Sequence, residues 1–297
     1  MPHSKTFFKT KNMNNFKVSY KSVNIDGVNV FYREAGEKSK PAILLLGGFP
    51  SSSITFRNLI EDLKGDYHLI APDYPGFGNS DAPSPNEYEY SFKNITDTIE
   101  KFVDQIGLKG FNLYAFDYGG PVGFRLASKR PELIQSLIIQ NANAYNEGIG
   151  EGFAAAMPFL QNRNAETEKP IRFLMTLEGI KVFYFTGAEN ADLISPDAYL
   201  SDLQNLSKPG LVDIHLNLLH NYSSNVAEYP VWQNYFRTHQ PKTLLVWGKN
   251  DPFFPEAAAK AFLTDLPDAE LHLYNTSHFA LEEYHEAIAN NIKSFLN

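Results

Sequence analysis

The chain has 297 residues, a formal net charge of −8 and no cysteine. That length suits one large α/β domain, or a core carrying a smaller inserted unit, and can bury roughly 75% of the unfolded surface. The missing cysteines exclude disulfides, thiolate catalysis and zinc–cysteine sites, and the acidic balance argues against a nucleic-acid partner.

The opening "MPHSKTFFKTKNMNNFK" is basic and rich in Asn and Lys. It lacks the apolar run of about 7–15 residues found in a secretory signal, so residues 1–16 are read as a flexible tail. "KVSYKSVNI" and "VNVFYRE" alternate apolar with polar positions and are split by Asp26-Gly27, a hairpin signal. "PAILLLGG" is a short continuous apolar run, the mark of a strand buried on both faces. "ITFRNLIEDLKG" has helical spacing, "YHLIAPD" reads as a second buried strand and "YSFKNITDTIEKFVDQIG" as a long amphipathic helix. "GFNLYAF" predicts a strand, "YGGPVGFRLASKRP" a helix and "LIQSLIIQNA" another strand.

From about Tyr145 to Phe236 this rhythm stops. The segment combines helical patches, prolines and aromatics, with no convincing buried strand. The alternation resumes with "KTLLVWG" (strand), "PEAAAKAFLTDLP" (helix), "AELHLYN" (strand) and "FALEEYHEAIANNIKSFLN" (helix). Strands alternating with helices imply right-handed crossovers and a mostly parallel sheet. The expected organisation is an α/β core over residues 17–143 and 237–297, interrupted by a helical cap over residues 144–236. No stretch approaches the ~20 apolar residues of a membrane span. No membrane contact is expected, and the lack of cysteine fits a cytoplasmic protein.

Open α/β sheets bind ligands beyond the carboxyl ends of their strands, so the residues following each strand carry the functional information. Three of these turns supply Asp117, Asp251 and His278, in that chain order. Nucleophile, acid, histidine is the order of an α/β-hydrolase triad, and "AFDYGG" has the small–x–nucleophile–x–small–small form of its strained strand-to-helix turn. Each residue also has a plainer reading. Asp117 could cap the following helix, and Asp251 could be a turn aspartate before Pro252. His68 and His272 fall in strands and read as packing. His215, His220, His239 and His285 read as helix or surface residues. The rival position for the acid, after "SLIIQ", holds only the amides Asn141 and Asn143. Asp73 reads as a turn residue bonding backbone amides.

With "AFDYGG", "PDYPGFGNS", "GKNDPFF" and "SHFALEE" in register, the chain resembles the α/β-hydrolase superfamily. Within it, the aspartate-nucleophile branch of epoxide hydrolases and haloalkane dehalogenases is the best match. The resemblance implies an Asp117 nucleophile, an Asp251–His278 pair that activates water, and an oxyanion hole from the N–H groups of Phe49 and Tyr118. It also implies a cis peptide at Phe49–Pro50. Relatives usually read His-Gly-x-Pro where this chain has Gly47-Gly48-Phe49-Pro50.

An aspartate is already ionised at neutral pH. It attacks an electrophilic saturated carbon to give an ester, which water then hydrolyses. The partners are therefore an apolar small molecule and water, with no metal and no organic cofactor. An epoxide needs an acid for its leaving oxygen. The resemblance implies tyrosines of the insertion, with Tyr222 first, Tyr184 second and Tyr145 third. A halide needs N–H donors, but Tyr118 and Phe49 occupy the places where family dehalogenases often carry Trp or Asn. Epoxide hydrolysis is therefore preferred, haloalkane dehalogenation is second, and a non-catalytic small-molecule binding protein on the same fold is third. Oligomeric state and substrate identity are not legible.

Overall fold

The computed structural model describes residues 17–297; the expected tail over 1–16 lies outside them. β1 (Ser19–Ile25) and β2 (Val28–Ala35) form the expected hairpin around Asp26-Gly27, both in the left-handed region. β3 (Ala42–Leu46), α1 (Arg57–Leu63), β4 (His68–Pro72) and α2 (Phe92–Gln105) follow. Then come β5 (Phe111–Phe116), α3 (Gly119–Lys129) and β6 (Ile134–Gln140). β3, β4 and β5 are buried at every position, which is why each reads as a continuous apolar run rather than an alternation.

Seven helices separate β6 from the next strand, and no strand lies among them. They are α4 (Glu151–Ala154), α5 (Met157–Gln161), α6 (Ala165–Phe173), α7 (Leu177–Phe185), α8 (Pro196–Leu206), α9 (Leu211–His220) and α10 (Ser223–His239). The last runs three residues past the expected boundary at 236. It ends where Gln240 turns left-handed (φ 43°) ahead of Pro241, a residue that disfavours helical geometry in its predecessor. The core resumes with β7 (Thr243–Gly248), α11 (Glu256–Phe262), β8 (Glu270–Tyr274) and α12 (Ala280–Leu296), the last broken by non-helical geometry at Tyr284.

The eight strands form one sheet in the order β1-β2-β4-β3-β5-β6-β7-β8, antiparallel at β1–β2 and β2–β4 and parallel elsewhere. The strand order reverses at β3 and β5, which lie side by side with Leu46 opposite Ala115. At such a switch point the turns after the two strands diverge to leave a crevice. The Phe49–Pro50 peptide in the β3 turn is cis. No helix among the described residues is long and apolar enough to cross a membrane.

Candidate active site

Asp117 occupies the turn between β5 and α3 with φ 51°. Non-glycine residues enter this region rarely, at a cost of order 1–3 kcal/mol. Close backbone approach explains the small neighbours. A Cβ on Gly119 would overlap the Leu46 carbonyl, and one on Gly48 would overlap both Asp117 Oδ1 and the Tyr118 nitrogen. The Asp117 side chain does not cap α3. Its Oδ1 instead accepts the Phe49 N–H at 2.7 Å, and the carboxylate also accepts the Tyr118 N–H.

The turns after β7 and β8 bring Asp251 and His278 to the same edge of the sheet. His278 Nδ1 lies 2.7 Å from Asp251 Oδ2. Asp251 Oδ1 accepts the Phe253 N–H at 2.7 Å. A carboxylate acceptor places the proton on Nδ1, so in the neutral form of the ring Nε2 presents a lone pair. That Nε2 is 3.7 Å from Asp117 Oδ2 and hydrogen-bonds to no group among the described residues. Burial pushes the Asp117 carboxyl up to about 6, against the opposing pull of His278 and the Tyr118 and Phe49 amides. Burial also disfavours a charged His278, but the charge and hydrogen bond of Asp251, with the charge of Asp117, outweigh it and raise the ring above its ordinary value.

Asn141 has a role that its sequence position did not reveal. It follows β6 with φ 37°. Its Oδ1 accepts the Gly248 N–H at 2.9 Å, while its Nδ2 donates to the Gly248 carbonyl at 3.0 Å and to Asp251 Oδ2 at 2.9 Å. The amide thus fastens the end of β6 to the end of β7 and steers the carboxylate that holds His278. The legible signal was its place on the sheet edge.

Asp117 and Tyr118 form the polar floor of a tight hollow of about 40 Å³ whose other walls are apolar. Phe49, Phe253 and Phe254 line it from the core, and Phe153, Leu174, Phe183 and Leu219 from the helices between β6 and β7. Of the three tyrosines singled out in sequence, Tyr222 comes closest, packing behind the hollow's lining residues with its hydroxyl hydrogen-bonded to Tyr229. Its ring packs on Phe153 (4.6 Å between centroids) and Tyr118 (6.2 Å). Burial first, then the neighbouring Tyr229 and the Asp117 charge, raise its pKa well above the ordinary phenol range. The Tyr184 hydroxyl instead donates to the buried Asp202 at 2.6 Å, with its ring stacked on Phe279 at 4.0 Å. The Tyr145 hydroxyl donates to Asp265 at 2.8 Å, at a separate surface hollow. Neither reaches the Asp117 hollow. Neither do the two indoles: Trp247 Nε1 donates to the Phe254 carbonyl at 2.8 Å, and Trp232 packs against Phe124 and Tyr229.

His215, expected only as a helix or surface residue, is fully buried in α9 with its ring 5.6 Å from Phe49 and 4.5 Å from Phe77. Burial drops its pKa to about 4, so it packs as a neutral ring against the residue whose N–H bonds Asp117. Asp73 accepts the Ser53 and Asn79 N–H groups at 2.7 and 2.8 Å, tying the β3 turn to the β4 turn. No cluster of three potential metal-ligating side chains exists among the described residues.

The family model of the alpha/beta hydrolase fold matches residues 41–284. The chain belongs to that family. This α/β-hydrolase is 39% identical over 273 residues to an uncharacterized hydrolase of Saccharomyces cerevisiae, covering 91% of this chain and 93% of the yeast protein. It is 28% identical to human epoxide hydrolase 4 over 247 residues, 79% of this chain and 66% of that protein. Among solved structures, a haloalkane dehalogenase from Bradyrhizobium elkani matches with a TM-score of 0.76 at 21% identity, covering 94% of this chain and 98% of that one. The last likeness concerns the fold.

Proposed function

We propose that this α/β-hydrolase opens small apolar epoxides through a covalent ester of Asp117. The observation that carries the reading is the Asp117 carboxylate at the floor of an apolar hollow, with an uncommitted His278 Nε2 3.7 Å away. The helices over residues 144–236 act as its cap. Asp117 Oδ2 attacks an epoxide carbon, the ring C–O bond breaks, and the departing oxygen takes a proton from Tyr222, leaving a phenolate. The neutral His278 then removes a proton from water as that water attacks the ester carbonyl carbon. The resulting oxyanion lies where Asp117 Oδ1 already accepts the Phe49 amide, with the Tyr118 amide bonded to the same carboxyl, donors worth roughly 3–4 kcal/mol each in such sites. Collapse breaks the acyl C–O bond, and the departing alkoxide takes the proton of the newly added hydroxyl, which releases the diol and restores the Asp117 carboxylate. The proton on His278 returns to Tyr222 through solvent.

The resemblance and the name of the human relative support the same reading. Haloalkane dehalogenation is disfavoured because both indole N–H groups lie away from the hollow, which leaves a departing halide no side-chain N–H cradle. Single turnover in ¹⁸O-water with parallel epoxide and haloalkane panels tests the proposal. Label is expected in the Asp117 carboxylate, with diol as product. Diol formation without label in Asp117 removes the ester mechanism, and halide release without diol reverses the substrate assignment. Tight binding without turnover of either panel points to a binding protein.

A further inference from the structure

A second hollow, of about 170 Å³, lies between α8 and the turns after β3 and β4. Arg33, Ser52, Asn79, Ser201, Gln204 and Lys208 contribute to its wall, and no carboxylate does. Its donors are largely uncommitted. Arg33 gives Nε to Ser53 Oγ at 3.0 Å and its guanidinium lies 5.2 Å over the Tyr20 ring, but its terminal nitrogens donate no hydrogen bond among the described residues, while Lys208 gives one hydrogen to the Gly78 carbonyl at 2.8 Å. The Asn79, Ser201 and Gln204 side chains hydrogen-bond to nothing else among the described residues. Neither cation has a carboxylate within ion-pair distance among those residues. The Arg33 charge acts on Asp73, both of whose oxygens already accept backbone amides. On a chain of net charge −8, two unneutralised cations facing one donor-rich hollow form a local inversion of sign.

We propose that this hollow binds a phosphoryl group. The volume falls below the ~300–1,000 Å³ of pockets for drug-sized ligands, so the occupant is small or presents one small end. Two cations converging with neutral amide and hydroxyl donors match a tetrahedral dianion, and a monocarboxylate satisfies only half of that charge. Occupancy would join α8 to residues 52–54, which follow the Phe49–Pro50 turn directly. It would also brace the helix that carries Asp202, the partner of Tyr184. The site is separate from the Asp117 hollow and stands whatever reaction Asp117 performs.

Isothermal titration of the full chain with inorganic phosphate, glycerol phosphate and acetate tests it. Saturable binding of one phosphate per chain is expected, with acetate at least about ten-fold weaker. Each charge-assisted contact contributes about 1.5–3 kcal/mol, so Arg33→Met and Lys208→Met should each weaken phosphate by about 10- to 100-fold. Thermal unfolding verifies that both variants are folded, and Lys208 is exposed enough for its variant to keep the fold. Tighter binding of glycerol phosphate supports a phosphomonoester as the occupant, and equal or weaker binding supports free phosphate. No saturable binding of either phosphate at millimolar concentration, or unchanged affinity in the folded Lys208→Met variant, overturns the proposal.

Discussion

Replacing Asp117 by Asn should make the protein more stable above neutral pH. Burial lifts the Asp117 carboxyl to about 6 from an ordinary 3.8, so the native state binds this proton more tightly than the unfolded chain does. Stability contributed by such an acid is present at low pH and declines as pH rises through the window from about 4 to about 6. Two pKa units at 1.36 kcal/mol each give a cost of about 3 kcal/mol at pH 8.5. At pH 4.5 the same two titrations leave about 1 kcal/mol. Asn keeps an acceptor for the Phe49 and Tyr118 amides but carries no charge, so Asp117→Asn recovers this difference. Unfolding entropy is near 2.1 cal/mol/K per residue, which converts 3 kcal/mol on a chain of this size to about 5 °C in Tm. Thermal unfolding of both proteins at pH 8.5 and pH 4.5 is the measurement. A variant no more stable than wild type at pH 8.5, or a gain unchanged at pH 4.5, would refute the view of Asp117 as an unfavourably buried charge.

Ester formation should lose rate as pH falls below about 6, because the proposed nucleophile is protonated there; stopped-flow alkylation across pH 4.5–8 checks this. His278→Gln should leave alkylation intact but slow ester hydrolysis by about 10²–10⁴-fold, trapping an adduct on Asp117 that intact-mass spectrometry detects. Tyr222→Phe should slow epoxide ring opening by about 10²-fold. Tyr184→Phe should instead lower stability by about 1–3 kcal/mol by removing the donor to buried Asp202, with turnover of the folded protein little changed; kcat and Tm measured on both variants separate the two roles. Gly48→Ala should abolish turnover while the protein still folds, since the new Cβ overlaps Asp117 Oδ1 and the Tyr118 nitrogen; normal activity in that variant would mean that the two turns do not pack so closely.

Much of the architecture is local in origin and was legible without coordinates. β3, β4 and β5 are continuous apolar runs because both faces of the central sheet are covered. Asp26-Gly27 specifies its own hairpin, and a strand-then-glycine pattern places Asp117 on a tight turn. The chain order Asp117, Asp251, His278 follows from the same rhythm, since each residue lies in the turn after a strand on one edge of a parallel sheet. Helix ends were less legible: α10 continues to His239 because its stop depends on Gln240 entering the left-handed region before Pro241.

Tertiary structure alone decided which side chains meet. Nothing local distinguishes Tyr222, which packs beside Tyr118 with its hydroxyl paired to Tyr229, from Tyr184 and Tyr145, whose hydroxyls are paired to Asp202 and Asp265. Nor does local pattern show that His215 packs on Phe49, that Asn141 holds Asp251, or that Arg33 and Lys208 share a hollow across 175 residues of chain. Periodicity reports which face of an element is buried. It carries no information on the partner that a distant helix brings to that face, and in this protein those partners set the Asp117 pKa and the shape of the hollow.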